Sequence, residues 1–163
     1  MRGGHTPMAA TYRLTPGRRA ANRVVRLLLK LGVMPGPTYL LTVVGRRTGR
    51  PLSTPVTLVE EGGDRWLVAP YGDVAWVRSA RAAGQITLTR GRRTETVPLR
   101  ELSSGEAAPV LQRYVTRVPI TRPYFDVTPA SPLAAFEAEA PRHPVFHLGS
   151  GLTFRHFQTD QPS

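Results

Sequence analysis

Gly45-Arg46-Arg47-Thr48-Gly49-Arg50 stands between two apolar, β-branched runs. Thr38-Tyr39-Leu40-Leu41-Thr42-Val43-Val44 precedes it, and Ser53-Thr54-Pro55-Val56-Thr57-Leu58-Val59 follows it. Two such runs joined by a glycine-bounded segment read as a β-hairpin. The turn is cationic. Arg46, Arg47 and Arg50 crowd it, and guanidinium groups grip phosphates and carboxylates bidentately. It is not a Walker A loop, which requires G-x-x-x-x-G-K-[ST] ahead of a helix. Taken alone, these residues fit either an anion-binding loop or a solvated turn whose arginines are incidental.

Working outward, Gly62-Gly63-Asp64 makes a turn, and Arg65-Trp66-Leu67-Val68-Ala69 a third strand. Ala69-Pro70-Tyr71-Gly72-Asp73 reads as a loop. Val74 to Ala83 reads as a helix, with Asp73 as its N-cap and Gly84 as its stop. Gln85 to Thr89 alternates as a strand, and Arg90-Gly91-Arg92-Arg93 turns it into Thr94 to Leu102, where Pro98 marks an edge or a bulge. Ser103-x-x-Glu106 matches a capping box ahead of a helix to about Arg117, although Pro109 fits only a first turn. Val118 to Pro132 carries four prolines and reads as a loop crossing the surface. Pro132 to Ala140 reads as a short helix and Pro144 to Leu148 as the last strand.

Residues 1–16 read as a flexible segment, 17–148 as a single domain and 149–163 as a loose tail. Within that domain Gly17 to Gly32 reads as a basic amphipathic helix. Ala20, Val24, Leu27, Leu28 and Leu31 share one face; Arg19, Arg23, Arg26 and Lys30 share the other. Such a helix either makes weak, salt-sensitive contact with an anionic membrane surface or lays its apolar stripe on a sheet. The strands arrive in hairpins without βαβ alternation. The fold class is therefore α+β, mostly β: an antiparallel barrel of about six strands with three or four flanking helices.

The chain has 163 residues, no cysteine and a formal net charge of +11. Lack of cysteine excludes disulfides, thiolate metal sites and a cysteine nucleophile. No transmembrane span or secretory signal is visible, which makes a cytoplasmic protein, or one peripheral to the inner membrane face, the default. Lys30 is the only lysine, and no acidic residue precedes Glu60, so the cations of the first third go unneutralised by sequence neighbours. That asymmetry calls for an anionic partner. Zinc-finger, helix-turn-helix and RNP1-like signatures are absent, so nucleic acid is not the expected one. His143 and His147, four apart on a strand, lie about 13 Å from one another, too far to share a metal ion. There is no nucleophile elbow, carboxylate pair or G-x-G-x-x-G, so any redox chemistry would come from a cofactor.

The run Tyr39 to Pro51 with Thr54-Pro55-Val56, its spacing to Trp66-Leu67-Val68-Ala69-Pro70-Tyr71-Gly72, and then Trp76-Val77-Arg78, Gly84 and Gly91-Arg92, resembles the deazaflavin-dependent nitroreductase and quinone reductase family. The resemblance is close from Thr38 to Leu102 and looser beyond. It implies a flavin-reductase-like split β-barrel and coenzyme F-420, a deazaflavin with an acidic phospholactyl-polyglutamate tail, with FMN the weaker fit. Carried over by position, Arg46, Arg47, Thr48, Gly49 and Arg50 would hold the phosphate and tail. Thr54, Pro55 and Val56 would line the ring, and Ala69, Pro70, Tyr71 and Gly72 would pass beside it with backbone amides for its carbonyls. Trp76, Val77 and Arg78 would close the other side.

The implied activity is hydride transfer from the reduced deazaflavin to a small organic acceptor: a quinone, an activated alkene or a nitro compound. Tyr71 and Tyr124 are the candidate proton donors. Tyr124 and Phe125 are the candidate acceptor contacts, either as a lid or as residues pinning the crossing loop to the core. Many family members carry Trp-Tyr-x-Asn-Leu where this chain has Trp76 to Ala80, and a serine with paired glycines where it has Ala69 to Gly72; both departures fall on the acceptor side. A carrier of deazaflavin, flavin or tetrapyrrole without turnover, and a basic nucleic-acid-binding barrel, are the alternatives. A homodimer is compatible with all three.

Overall fold

The computed structural model describes residues 38–150 and 152–155, so the readings of residues 1–16 and of the helix at 17–32 lie outside the described residues. The elements are β1 (Thr38–Val44), β2 (Pro51–Glu61), β3 (Asp64–Val68), α1 (Ala75–Ala83), β4 (Gln85–Arg90), β5 (Arg93–Glu101) and α2 (Ser104–Arg117). A 3-10 helix (Pro119–Tyr124), α3 (Leu133–Glu139), a second 3-10 helix (Ala140–Arg142), β6 (Val145–Leu148) and β7 (Leu152–Arg155) follow. The expected hairpins form at their expected positions.

Strand neighbours run β4-β1-β2-β3-β6-β5, and β5 returns to β4, closing an antiparallel six-stranded barrel. Two long strands change partners partway. Pro51–Thr57 of β2 pairs with β1, and Leu58–Glu61 with β3. Arg93–Pro98 of β5 pairs with β4, and Leu99–Glu101 with β6. The barrel is thus two half-sheets sharing two strands, which is what splits it. Pro98 marks neither an edge nor a bulge. It is the last residue of β5 paired with β4, where a missing N–H does least harm, and its carbonyl accepts from Gly149 N–H at 2.9 Å. The stretch expected to be a loose tail contributes β7, which pairs with Arg93–Thr96 of β5.

Period-2 alternation sorts the side chains into two cores. Leu41, Val43, Leu58, Leu67, Ile86, Leu88, Val97 and Phe146 fill the barrel, and Val77 and Ala80 of α1 pack on the same cluster. Val59, Val68 and Val145 point the other way and meet Ala107, Ala108, Leu111 and Val115 of α2 and Phe136 of α3. Each large side chain so buried stabilises the fold by about 1.5–3 kcal/mol.

The capping box forms: Ser103 Oγ accepts from Glu106 N–H, and Glu106 Oε1 from Ser103 N–H. Pro109 lies inside α2 rather than in its first turn. The helix tolerates the lost bond because its buried face, not its ladder, holds it in place. Asp73 does not cap α1. Val74 is the N-cap, with no side-chain bond, and the Asp73 carboxylate instead takes Arg81 Nη1 at 2.9 Å. A guanidinium one helix face away competes better than an orphan amide. Gly84 stops the helix at φ 71°, as expected.

At one end the barrel interior closes on a polar plug. Arg65 donates to both oxygens of Glu95, at 2.9 and 2.7 Å, and Tyr39 Oη donates to Glu60 at 3.0 Å. The side chains of Arg65 and Glu95 are only 22% and 13% exposed, and the guanidinium holds the carboxyl below the usual carboxylate range. A carboxylate whose folded pKa is depressed stabilises the fold above its unfolded value of about 4.3, and loses that contribution as pH falls through the folded value. Glu95→Gln should therefore lower the melting temperature at pH 7, and the curves of parent and variant should converge as pH falls below about 4.3. Thermal melts between neutral and acid pH check this; a constant offset across the range would contradict it.

Candidate functional site

The β1–β2 turn is built by its own backbone. Gly45 N–H donates to Arg50 O at 2.8 Å, Gly49 N–H to Gly45 O at 2.9 Å, and Arg50 N–H to Thr48 Oγ1 at 3.2 Å. Gly49 adopts φ 66°, which favours glycine. Gly45 is required for a different reason: a Cβ there would lie 2.9 Å from Thr48 Oγ1 and 3.0 Å from Arg50 O. The turn is tied to α1, because Arg46 N–H donates to Ser79 Oγ at 3.2 Å and Ser79 is 3% exposed. Between turn and helix lies a cavity of about 240 Å³ lined by Gly45, Arg46, Arg47, Thr48, Leu52, Ala75, Arg78 and Ser79.

Charge gives this cavity its character. Arg65, Arg81, Arg100, Arg113, Arg117 and Arg142 each sit within ion-pair distance of a carboxylate. Arg122 donates to the carbonyls of Val115 and Thr116. Arg46, Arg47, Arg50 and Arg78 have no carboxylate partner among the described residues, and the first turn of α1 beside them contains no acid and no side-chain cap. Exposed guanidiniums gathered at an uncapped helix N-terminus attract anions by charge and by the helix dipole together.

The split opens from the same region. Thr54, Pro55 and Val56 lie on the half of β2 that pairs with β1 alone among the described residues. Beyond the Leu58–Leu67 pair the other strand leaves β2, and Ala69 N–H bonds to Pro144 O at 2.8 Å instead. The loop Ala69–Gly72 thus follows the strand that parts from Thr54–Val56. Two of the amides expected to face the ring are engaged within the protein, that of Ala69 by Pro144 O and that of Gly72 by Ala69 O at 3.2 Å, and Pro70 has none.

Tyr71 and Tyr124, far apart in sequence, meet edge to face with centroids 4.7 Å apart and planes at 84°. Both are half-buried. Phe125 points elsewhere. It is 7% exposed, stacks on His143 at 4.0 Å and lies 6.1 Å from Tyr114, so its packing is that of a pinning residue rather than a lid. Val77 is also corrected: it is fully buried in the barrel core and cannot line a pocket. Trp76 packs half-buried against that core, and only Arg78 of the three reaches the cavity. Trp66 packs against the helix-side core under Arg113, consistent with a packing role.

Two residues of consequence escape a reading of motifs. Ser79 is a small polar residue on the buried side of α1, visible in the sequence only as a break in an apolar stripe. His143 donates through Nδ1 to Pro70 O at 2.9 Å, while Nε2 lies 2.9 Å from Oε1 of Glu139, itself 2% exposed. Glu139 also accepts from Asp126 N–H at 3.1 Å and from Arg142. Burial pushes the His143 imidazole below its ordinary pKa, and the Glu139 carboxylate opposes that shift. The Glu139-x-x-x-His143 spacing was the available signal. His147 turns instead to Asp64 at 3.0 Å, and no group of metal-ligating side chains occurs among the described residues. Nor is any helix among them long and apolar enough to cross a membrane.

A split barrel of this topology, with a cationic turn between its first two strands, belongs to the flavin-reductase-like class of folds. The sequence model of the F-420H(2)-dependent quinone reductase family matches residues 17–128. The chain belongs to this family, and by that membership it is an oxidoreductase dependent on reduced coenzyme F-420. No curated protein matches it. Among solved structures it is similar to Atu2129, a protein of unknown function from Agrobacterium tumefaciens, at 18% identity and a TM-score of 0.54 over 89% of this chain and 60% of that one. This chain thus spans less than two thirds of that protein's length. It is similar to a domain-swapped dimer at 21% identity and a TM-score of 0.51, over 83% of this chain and all of that one. It is also similar to a candidate pyridoxamine 5'-phosphate oxidase from Listeria innocua at 11% identity and a TM-score of 0.50, over 81% of this chain and 96% of that one. At these identities the likenesses describe the fold.

The different burial of the two neighbouring aromatics has a measurable consequence. Phe125→Ala should cost about 3–5 kcal/mol of stability, the usual loss for a buried aromatic, and Tyr124→Ala distinctly less. Denaturant unfolding of both variants checks this; equal losses would contradict the assignment of Phe125 to the core and Tyr124 to its margin.

Proposed function

We propose that this chain binds reduced coenzyme F-420 with its phosphate and acidic tail on Arg46, Arg47 and Arg78, its ring in the split, and reduces a small organic acceptor there. The observation that carries the reading is the unneutralised charge: Arg46, Arg47 and Arg50 of the turn and Arg78 of α1 stand without carboxylates among the described residues, whereas Arg65, Arg81, Arg100, Arg113, Arg117 and Arg142 are paired. A polyanionic tail fits that donor set. FMN also carries a phosphate, but lacks the glutamates that would engage several guanidiniums at once.

When bound, the coenzyme supplies hydride. The chain's own residues do the rest by binding, orienting and excluding water. Arg46, Arg47 and Arg78 grip the anionic end, with Thr48 beside them and Ser79 holding the turn against α1. Thr54, Pro55 and Val56 offer a flat strand edge as one wall of the split, and Ala69 to Gly72 border the other side. Tyr71 and Tyr124, held edge to face, stand at the acceptor side, where a phenol can deliver the proton that must follow hydride. The family favours a quinone as acceptor, with activated alkenes and nitro compounds as the further candidates. A second copy of the chain completing the site, in a homodimer, is part of the same reading.

Replacing both Arg46 and Arg47 by alanine should weaken coenzyme binding about tenfold or more, a modest figure because these side chains are exposed and screened. The salt dependence of binding should shrink at the same time. The coenzyme's intrinsic fluorescence reports both. In turnover with a quinone such as menadione, KM for the coenzyme should rise while kcat at saturation holds. Unchanged affinity in the double variant would remove the turn from the site.

A further inference from the structure

The two tyrosines reach one another from opposite parts of the chain, and a buried pair of residues links the segments that carry them. Pro70, next to Tyr71, gives its carbonyl to His143 Nδ1 at 2.9 Å. Phe125, next to Tyr124, stacks on the same imidazole, with centroids 4.0 Å apart and planes at 25°. Asp126 N–H, one residue further, goes to Glu139 Oε1 at 3.1 Å, and that oxygen also faces His143 Nε2 at 2.9 Å. Glu139 is held in turn by Arg142, whose other nitrogen reaches Asp126 Oδ2 at 2.6 Å. Every polar edge of the imidazole is engaged, and its one stacked face belongs to the Tyr124 segment. A carbonyl can only accept, so Nδ1 carries the proton.

From this arrangement we infer that Glu139 and His143 are positioning residues for the reaction: the imidazole clamps Pro70 on one side and Phe125 on the other, and so fixes Tyr71 against Tyr124. Neither residue touches the split. The part that concerns catalysis rests on the proposed role of the tyrosines; the clamp itself does not. Elsewhere the loop is tied by Ala69 N–H to Pro144 O and by the turn at Gly72. Gly72 packs close to the same segment, and a Cβ there would lie 3.2 Å from Arg142 O. The loop therefore rests on the Arg142–His143 segment by backbone contact and by the imidazole bond together.

Amide substitutions separate the two bonds of the ring. His143→Asn keeps a donor near the Nδ1 position for Pro70 and gives up Glu139. His143→Gln keeps a donor near the Nε2 position for Glu139 and gives up Pro70. Glu139→Gln replaces the carboxylate by an isosteric amide that can accept from Asp126 N–H or donate to Nε2, and it leaves the Nδ1 bond to Pro70 in place. In tyrosine-labelled protein, the edge-to-face pair gives a ring-current-shifted resonance, assigned with Tyr71→Phe and Tyr124→Phe. That resonance should persist in Glu139→Gln, weaken in His143→Asn, which keeps the Pro70 bond but loses the stack on Phe125, and vanish in His143→Gln, which loses both. Coenzyme affinity, set at the distant arginine turn, should not change in any of them, while kcat should fall about tenfold to a hundredfold in His143→Gln, the usual result of misplacing a reacting group.

A shifted resonance that survives in His143→Gln, or that fades equally in both histidine variants in step with melting temperature, overturns the clamp. A lost resonance with unaltered turnover supports the clamp and removes the tyrosines from the reaction. The parent protein gives a test that needs no variant: nitrogen-15 spectra should show His143 protonated at Nδ1 with slow exchange, and an unprotonated Nδ1 would overturn the proposal even if the variants fail to fold.

Discussion

The partner switch within β2 and β5 is the constraint on which the rest of this structure depends. A strand of eleven residues, Pro51–Glu61, is too long for either neighbour, so it pairs with β1 for its first part and with β3 for its second. β5 repeats the arrangement between β4 and β6. Closure through two shared strands removes most open sheet edges. It also leaves a split where β3 parts from β2, because the pairing ends at Leu58 and Leu67. The site proposed here is a consequence of that geometry: the turn of the β1–β2 hairpin lies at the foot of the split, and the Ala69–Gly72 loop issues from the strand that leaves it.

Charge then separates the arginines that are ion-paired within the fold from those that have no carboxylate partner among the described residues. Arg65 and Glu95 fill the barrel's opposite end, Arg81 joins α1 to β5 through Glu101, and Arg142 joins α3 to the loop at Asp126. These arginines hold elements together. Those of the turn, and Arg78 of α1, have no carboxylate partner among the described residues, and a cluster of like charges on a rigid hairpin carries an electrostatic cost that a bound anion would relieve. The chain's strongly basic composition gains a specific meaning from this division. Part of the charge is structural, and part gathers at the β1–β2 turn and Arg78.

How much of this could be read in the sequence follows from the range of each interaction. The hairpin at Gly45–Arg50, the capping box at Ser103 and the helix stop at Gly84 are local, and their residues declare them. The conformation of α1's start is equally local, yet Asp73 misled because Arg81, two turns on, competes for its carboxylate. Barrel closure was legible as a class but not in its register, since nothing near Pro98 in sequence announces that β5 will change partners there. Of the candidate site, the arginine turn was legible from charge and spacing, and the resemblance placed it. Val77 and Phe125 were misassigned because their neighbours in sequence face the site while they face a core, a difference of one residue in register. Ser79 and His143 were missed for the opposite reason: their partners, Arg46 and Pro70, lie far away along the chain.

The central claim is that the arginine turn recognises the anionic end of the coenzyme, and ligand truncation tests it without altering the protein. Affinity should be measured by fluorescence titration for intact coenzyme F-420 and for its deazaflavin ring stripped of phosphate and glutamates, each at low and high salt. The account predicts that the intact coenzyme binds much more tightly, that its advantage shrinks as salt rises, and that the stripped ring binds weakly and indifferently to salt. Equal affinity for the two ligands at low salt would contradict it.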